Sequence, residues 1–484
     1  MALYLAVDLG TTGCRSILFD EGLALVSSSY EEYGLITPRD SWVEQDAELW
    51  WTLTKKTMVA AIEKSGVNAK DVAGISISSQ GITVVPVDKN FKPLANAQTW
   101  LDTRGTAQVE KIKEKFTEKA LFAHTGKRLD PCYTLPKLLW FKDEAPETFE
   151  RAYKFLMPLD FLTARLTGKA LTDYSMASGT LFYDIAKGEW SDEVLTSFGI
   201  PKEKLPEIAA GGSLVGRVLP SVAEELGLSP DCPVALGVQD QKCAAFGVGL
   251  DKETVSISLG TAAAVTRLWD TPDTERQKIG WSGYVSKDAW VTEGVVNTAG
   301  TALRYVRELM YRGEDYKTVD EEAERAIEAN HTLFFYPYLN GPSSPDYYDN
   351  ATGVFHGITL GTERGAYAAA VMESIAYQIR ILLEEMQAYG TVKRLVIFGG
   401  GAKSKLWCQI MSDVTGLELF VPTTAEAAGA GAARLASMAG GSLLPPLSVR
   451  DSYQPGKWAA AYEEKYRRYR TLEKRIFSRE DKEC

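Results

Sequence analysis

Apolar and polar positions alternate from the start of the chain. Leu3, Leu5 and Val7 interleave with Tyr4, Ala6 and Asp8, and Ser16-Ile17-Leu18-Phe19 extends again after a turn of glycine and threonine. Residues 3–20 therefore predict strand, tight turn, strand. The same pattern returns at 254–266, TVSISLGTAAAVT, and the two stretches share a Leu-Gly-Thr core. Between them, Asp46 reads as the N-cap of a helix that starts at Ala47. Residues 72–90 predict a buried strand, a Ser-Gln-Gly turn and a hairpin ending at Asp88-Lys89-Asn90. Residues 108–125 and 134–168 read as helical, broken at Pro158, and 172–190 as turns anchored by Tyr183 and Trp190. Loops and a short helix fill 201–230. Further on come strands at 283–296, a helix at 299–312, an apolar strand at 333–341, and a long Ala-rich helix at 365–390. A strand at 394–402 runs into three glycines, and a charged helix at 458–480 reads as a solvated outer layer.

One stretch organises the rest: 232–249, CPVALGVQDQKCAAFGVG. Val234 to Val238 is an apolar, strand-compatible run that ends on Asp240 and Gln241. In open α/β sheets the carboxyl ends of strands are where ligands bind, although an Asp between strand and helix is also an ordinary N-cap. Ala244, Ala245, Gly247 and Gly249 then offer a helix face with almost no side chain, which admits a second backbone at close range.

Composition narrows the class. A chain of 484 residues is too long for one core and suits two or three domains. Net charge is −11, with no basic stripe, which argues against a nucleic-acid partner. No run of about 18 apolar residues suggests a membrane span, and the first residues lead straight into a strand rather than a basic leader. Six scattered cysteines without a CxxC pair point to reduced thiols and a cytoplasmic setting. Only three histidines are present, none in a metal-binding motif.

The candidate chemistry lies in the turns. Backbone N–H groups and hydroxyls in a Gly/Thr-rich turn suit phosphate oxygens, and Asp8 just before the first turn can hold a bridging cation. A plain hairpin explains the same residues equally well. Trp100, Asp102 and Arg104 alternate, so on an extended segment they share one side. An aromatic ring with an acid and a base describes a sugar or polyol site; a surface ion pair beside a buried Trp is the competing reading. Gly399, Gly400 and Gly401 before a helix leave room for a nucleoside to lie on backbone.

In combination these stretches resemble the FGGY family of carbohydrate kinases over nearly the whole chain. AVDLGTTGCRS is similar to that family's first phosphate loop, WVEQDAELWW to its usual helix start and SLGTAAAV to its second phosphate loop. GVFHGITLGTERGAYAAAVMES is similar to its C-terminal signature, with Ala366 and Tyr367 where a polar and then an aliphatic residue are usual. VIFGGGAKSKLWCQIMSDVTG resembles its adenosine site. The resemblance implies an α/β fold of two actin-like, ribonuclease-H-like ATPase domains around a central cleft, 1–246 for sugar and 247–484 for nucleotide. It implies ATP and Mg2+ as cofactors and Asp240 as catalytic base. Thr11, Thr12, Gly13, Arg15, Gly260 and Thr261 match phosphate positions; Gly300, Gly400 and Gly401 match nucleotide positions; Asp8 matches the outer shell of the metal. Gln80, Gly81, Trp100, Asp102, Arg104, Asp240 and Gln241 are the substrate positions. TLPKLLW, DYSMASGTLFYD and AGTALRYVREL look most like the xylulokinase branch, so the expected acceptor is a ketopentose such as xylulose. That branch usually carries Gln-Met-His where this chain has Gln80-Gly81-Ile82. Asp240-Gln241 is similar to the glycerol kinase branch, without the Arg-Glu pair that follows there. Glycerol, another ketose or a sugar acid is the alternative acceptor, and a non-catalytic actin-like nucleotide-binding protein the alternative class. The expected partner is a small sugar or polyol, without nucleic acid or membrane; a homodimer is compatible with all of this.

Overall fold

The computed structural model describes residues 2–341, 343–348, 351–388 and 390–477. The chain forms two compact units. The first holds 1–249, 269–291 and 426–447, and the second 250–268, 292–425 and 448–484.

In the first unit the opening strand Leu3–Leu9 turns back into Gly13–Phe19, and Leu25–Glu32 continues the antiparallel ribbon. On its other side Leu3–Leu9 pairs in parallel with Val72–Ser79. Val72–Ser79 in turn pairs in parallel with Pro233–Ala235 and Val238–Gln239. The parallel strands are apolar because both faces of the sheet are covered: Leu5, Val7, Ile75, Ile77 and Val234 are wholly buried. Helix Ala47–Ser65 starts on Asp46, whose side chain accepts the Glu48 N–H, and ends on Gly66 in the left-handed region. Its Trp50 and Met58 enter the core cluster.

The second unit repeats the plan. Thr254–Leu259 turns back into Ala263–Trp269 and pairs in parallel with Arg394–Phe398. Glu418–Pro422 and Val449–Tyr453 extend this sheet. The two Leu-Gly-Thr turns thus occupy equivalent places, each beside a parallel strand that runs into a loop at the same end.

Several expectations need correction. Val85–Val87 does not close a hairpin on the strand before it; it pairs with Lys154–Leu156, inside the stretch read as helical. Pro158 does not break a helix but begins one, Pro158–Thr167, at the position where its missing N–H is harmless. The terminal helix, Ala459–Phe477, is not merely solvated: Tyr462, Tyr466, Tyr469 and Glu473 form one buried face. Tyr469 stacks on Tyr336 at 4.6 Å. The last three residues of that predicted helix, and Cys484, lie outside the described residues.

Candidate active site

The first unit gathers its chemistry where three parallel strands end. The register aligns Leu9 with Ser79 and Ser79 with Gln239. The next residues of each strand, Gly10-Thr11, Gln80-Gly81 and Asp240-Gln241, therefore emerge together at one edge of the sheet. The first turn is closed by Gly10 N–H donating to the Gly13 carbonyl at 3.0 Å. A Cβ on Gly13 would lie 2.5 Å from the Tyr30 ring, so a larger residue there requires that ring to move. Thr12 is exposed and Thr11 half-buried.

Asp8 stands level with Ser78 on one side and Arg15 on the other. Ser78 Oγ donates to its carboxylate at 2.9 Å. Burial pushes the Asp8 carboxyl up to about 6; Ser78 opposes this, Glu426 adds to it, and Arg15 offsets part. A carboxylate so held takes up positive charge readily. Asp8 thus fits an outer-shell partner of a hydrated divalent ion, although no cluster of three acidic, His or Cys ligands exists among the described residues. Arg15 ion-pairs with Glu426 and lies over the Tyr30 ring at 5.0 Å. Glu426, which precedes helix Ala427–Ala439, carries no motif that would single it out in the sequence.

Asp240 begins helix Asp240–Gly247 directly after its strand. It is half-buried, and its Oδ1 accepts the Gln241 N–H at 2.7 Å and the Gln239 side-chain amide. The small-residue face does what its composition suggested. A Cβ on Gly247 would lie 2.2 Å from the Ala427 carbonyl, and one on Gly431 1.9 Å from the Cys243 carbonyl. Two backbones meet there, and helix Ala427–Ala439 fixes the angle at which Asp240 is presented. On the strand side, the Gln239 N–H donates to Ser175 Oγ at 2.9 Å.

The 98–104 segment is not extended. Residues 100–104 turn, so Trp100 and the charged pair part company. Asp102 is fully buried and grips Arg104 in a two-pronged ion pair, with Arg104 Nη2 also 2.7 Å from Glu44. The guanidinium lies over the Trp42 ring at 3.8 Å. Trp100 is 40% exposed, and its indole N–H donates to Thr11 Oγ1 at 2.8 Å. Gln80 is buried and its amide engages Gln45 at 2.8 Å; Gly81 lies against Gln239.

In the second unit a cavity of about 860 Å³ opens beside the second turn. Gly260, Thr261, Gly300, Gly400 and Gly401 all line it, as do Tyr316 and Lys403. Gly300 N–H donates to the Gly260 carbonyl at 2.9 Å, and a Cβ on Gly300 would lie 2.5 Å from that oxygen. Gly399 adopts φ +94°, and Gly400 faces open space. Glycines from three segments on one cavity fit a nucleotide, whose phosphates are held by N–H groups and whose base needs unobstructed space.

Family models decide the class. The model of the N-terminal domain of the FGGY family of carbohydrate kinases matches residues 3–247, and that of its C-terminal domain residues 255–440. The chain belongs to the FGGY family of carbohydrate kinases. It is a phosphotransferase with the two-domain fold of that family. A xylulose kinase of Lactococcus lactis subsp. lactis (strain IL1403) is 30% identical, covering 90% of this chain and 88% of the relative. A glycerol kinase of Thermococcus onnurineus (strain NA1) is 32% identical over 90% of this chain and 88% of its own. The solved structure of a xyloylose kinase from Brucella ovis superposes with TM-score 0.91 at 27% identity, covering 98% of this chain and 99% of that one. Among the described residues of this kinase no helix is long and apolar enough to cross a membrane.

Proposed function

We propose that this carbohydrate kinase transfers the γ-phosphoryl group of ATP to a hydroxyl of a ketopentose such as xylulose, with Asp240 as general base. The observation that carries the reading is the level ending of three parallel strands, which sets Asp240, Gly81 and the first turn side by side. A substrate hydroxyl gives its proton to the Asp240 carboxylate as its oxygen bonds to the γ-phosphorus, and the bond from that phosphorus to ADP breaks. Such transfer asks chiefly for positioning and charge neutralisation, with one carboxylate to orient the nucleophile. Trp100 offers its exposed face to the C–H side of the sugar, while the buried Asp102–Arg104 pair holds the segment that presents it. In the first unit Thr11, Thr12 and Gly13 at the turn, with Arg15 on the strand that follows, present groups suited to phosphate oxygens; in the second unit Gly260 and Thr261 do the same. Gly300, Gly400 and Gly401 line the cavity for the nucleoside, and Gly400 faces its open space. Asp8 would hold a hydrated Mg2+ in its outer shell, which would supply charge neutralisation at the phosphates.

The relatives set glycerol beside xylulose as acceptor. ADP release with D-xylulose, glycerol and gluconate separates them. Xylulose is expected to give the highest kcat/KM; a clear preference for another acceptor overturns the substrate assignment.

A further inference from the structure

Four side chains tie the first turn to the Trp100 platform. Gln45 Nε2 donates to the Thr11 carbonyl at 2.6 Å, and Gln80 Nε2 donates to Gln45 Oε1 at 2.8 Å. Thr11 Oγ1 donates to Gln80 Oε1 at 3.4 Å, which closes a ring of three residues. Within the ring each amide donates through its nitrogen and accepts through its oxygen, a consistent set of orientations. The Thr11 hydroxyl has one hydrogen to give and receives the Trp100 indole N–H at 2.8 Å. Trp100 is held at its other end too. Its backbone N–H donates to Thr83 Oγ1 at 3.2 Å, and Thr83 Oγ1 donates to Gln80 Oε1 at 3.4 Å.

We propose that Gln45 is a positioning residue that sets the Trp100 ring and the first turn as one body, so that sugar and nucleotide contacts are built on a shared frame. Gln45 is only 1% exposed, so bulk water does not compete for its amide. The chain fixes it on both sides. Gln45 pairs with Ala97 in a two-stranded ribbon, and the next residue, Asp46, caps a helix. The same ribbon places Glu44 against Arg104, so one dipeptide braces both the ring and the segment carrying Trp100. Removing the Gln45 amide leaves the buried Gln80 N–H and the half-buried Thr11 carbonyl without that partner, a loss that a closed network feels as a whole. The inference rests on the proposed roles of Trp100 toward sugar and of the turn toward phosphate.

The test measures KM for ATP and for acceptor in the full-length kinase. The acceptor is whichever of D-xylulose, glycerol or gluconate the wild type phosphorylates best, so failure of the xylulose assignment changes the acceptor and leaves this test standing. Trp100→Phe keeps an aromatic face and removes the indole N–H together with the five-membered ring that carries it. It is expected to raise KM for ATP as well as for sugar, each by about fivefold to tenfold. Gln45→Leu is expected to raise both by about tenfold or more. The double variant should be little worse than Gln45→Leu, because both substitutions break one network. A Trp100→Phe enzyme whose KM for ATP stays at the wild-type value overturns the proposal, as do penalties that add in the double variant. Should Gln45→Leu fail to fold, the ATP KM of Trp100→Phe decides alone.

Discussion

Asp160 shows what burial does to a single carboxyl in this chain. It caps its own helix, with Oδ2 accepting the Met157 N–H at 2.8 Å, while Oδ1 is buried without a hydrogen-bond partner. Burial pushes it up to about 8, against the hydrogen bond from the Met157 N–H, which lowers it. The native state therefore keeps a proton that the unfolded chain releases near pH 4. Asp160 contributes stability at low pH that is lost as pH rises from about 4 to about 8. Asp160→Asn keeps the acceptor and removes the titration. Its Tm relative to wild type is expected to rise between pH 5 and pH 8, and parallel pH profiles would contradict this. At the same scale, some residues were legible in the sequence and others were not. Asp46 caps the helix it precedes and Asp240 stands between a strand and a helix, both places that local pattern marks. Gln45 and Glu426 act through partners distant in sequence, Glu426 through Arg15 411 positions away, and no local signal marks such a pairing. Asp102 and Arg104 were found as a charged pair, but alternation implied an extended segment, and the buried ion pair bends it instead.

Elements with strong periodicity were readable, and short ones were not. The two strand–turn–strand motifs and the helix from Ala47 follow from alternation and capping. Lys154–Leu156 was missed because three apolar-rich residues between helices carry no period of their own. The terminal helix hid its buried face because tyrosines at i, i+4 and i+7 sit among many charges. The glycine contact between helices Asp240–Gly247 and Ala427–Ala439 was half legible: the small-residue face was visible, its partner was not. That contact gives an element-level test. Gly431→Ala forces a methyl to 1.9 Å from the Cys243 carbonyl, so the helices must part. Overpacking of this kind costs about 1–3 kcal/mol, and it tilts Asp240. The variant is expected to lose thermal stability and kcat together; unchanged kcat in a destabilised enzyme would show that the helix angle does not matter to Asp240.

At the scale of the whole molecule, the doubled Leu-Gly-Thr pattern announced two related halves, and the family models match both parts of the chain. What the linear order did not reveal is that 269–291 and 426–447 return to the first compact unit. Long-range packing of this sort depends on complementary surfaces, and the Ala/Gly-rich helix at 427–439 looks locally like any buried helix. The glycine-lined cavity lies wholly within the second unit, which yields a binding test free of any sugar. Mg·ADP alone is expected to raise Tm, by an amount corresponding to about 2.7 kcal/mol at a hundredfold excess over Kd. Gly400→Val, which places a side chain into open space, should abolish that shift while leaving the Tm of the ligand-free protein nearly unchanged. A full shift in the variant would remove the cavity as the nucleotide site.

The most direct measurement is acceptor-dependent ADP release by the wild type and by Asp240→Asn, each at saturating Mg·ATP. The wild type is expected to release ADP with its sugar and little without it. Asp240→Asn should retain sugar binding by calorimetry while losing about 10²–10⁴ in kcat. An Asp240→Asn enzyme that turns over at the wild-type rate would contradict the assignment of the proton to that carboxylate.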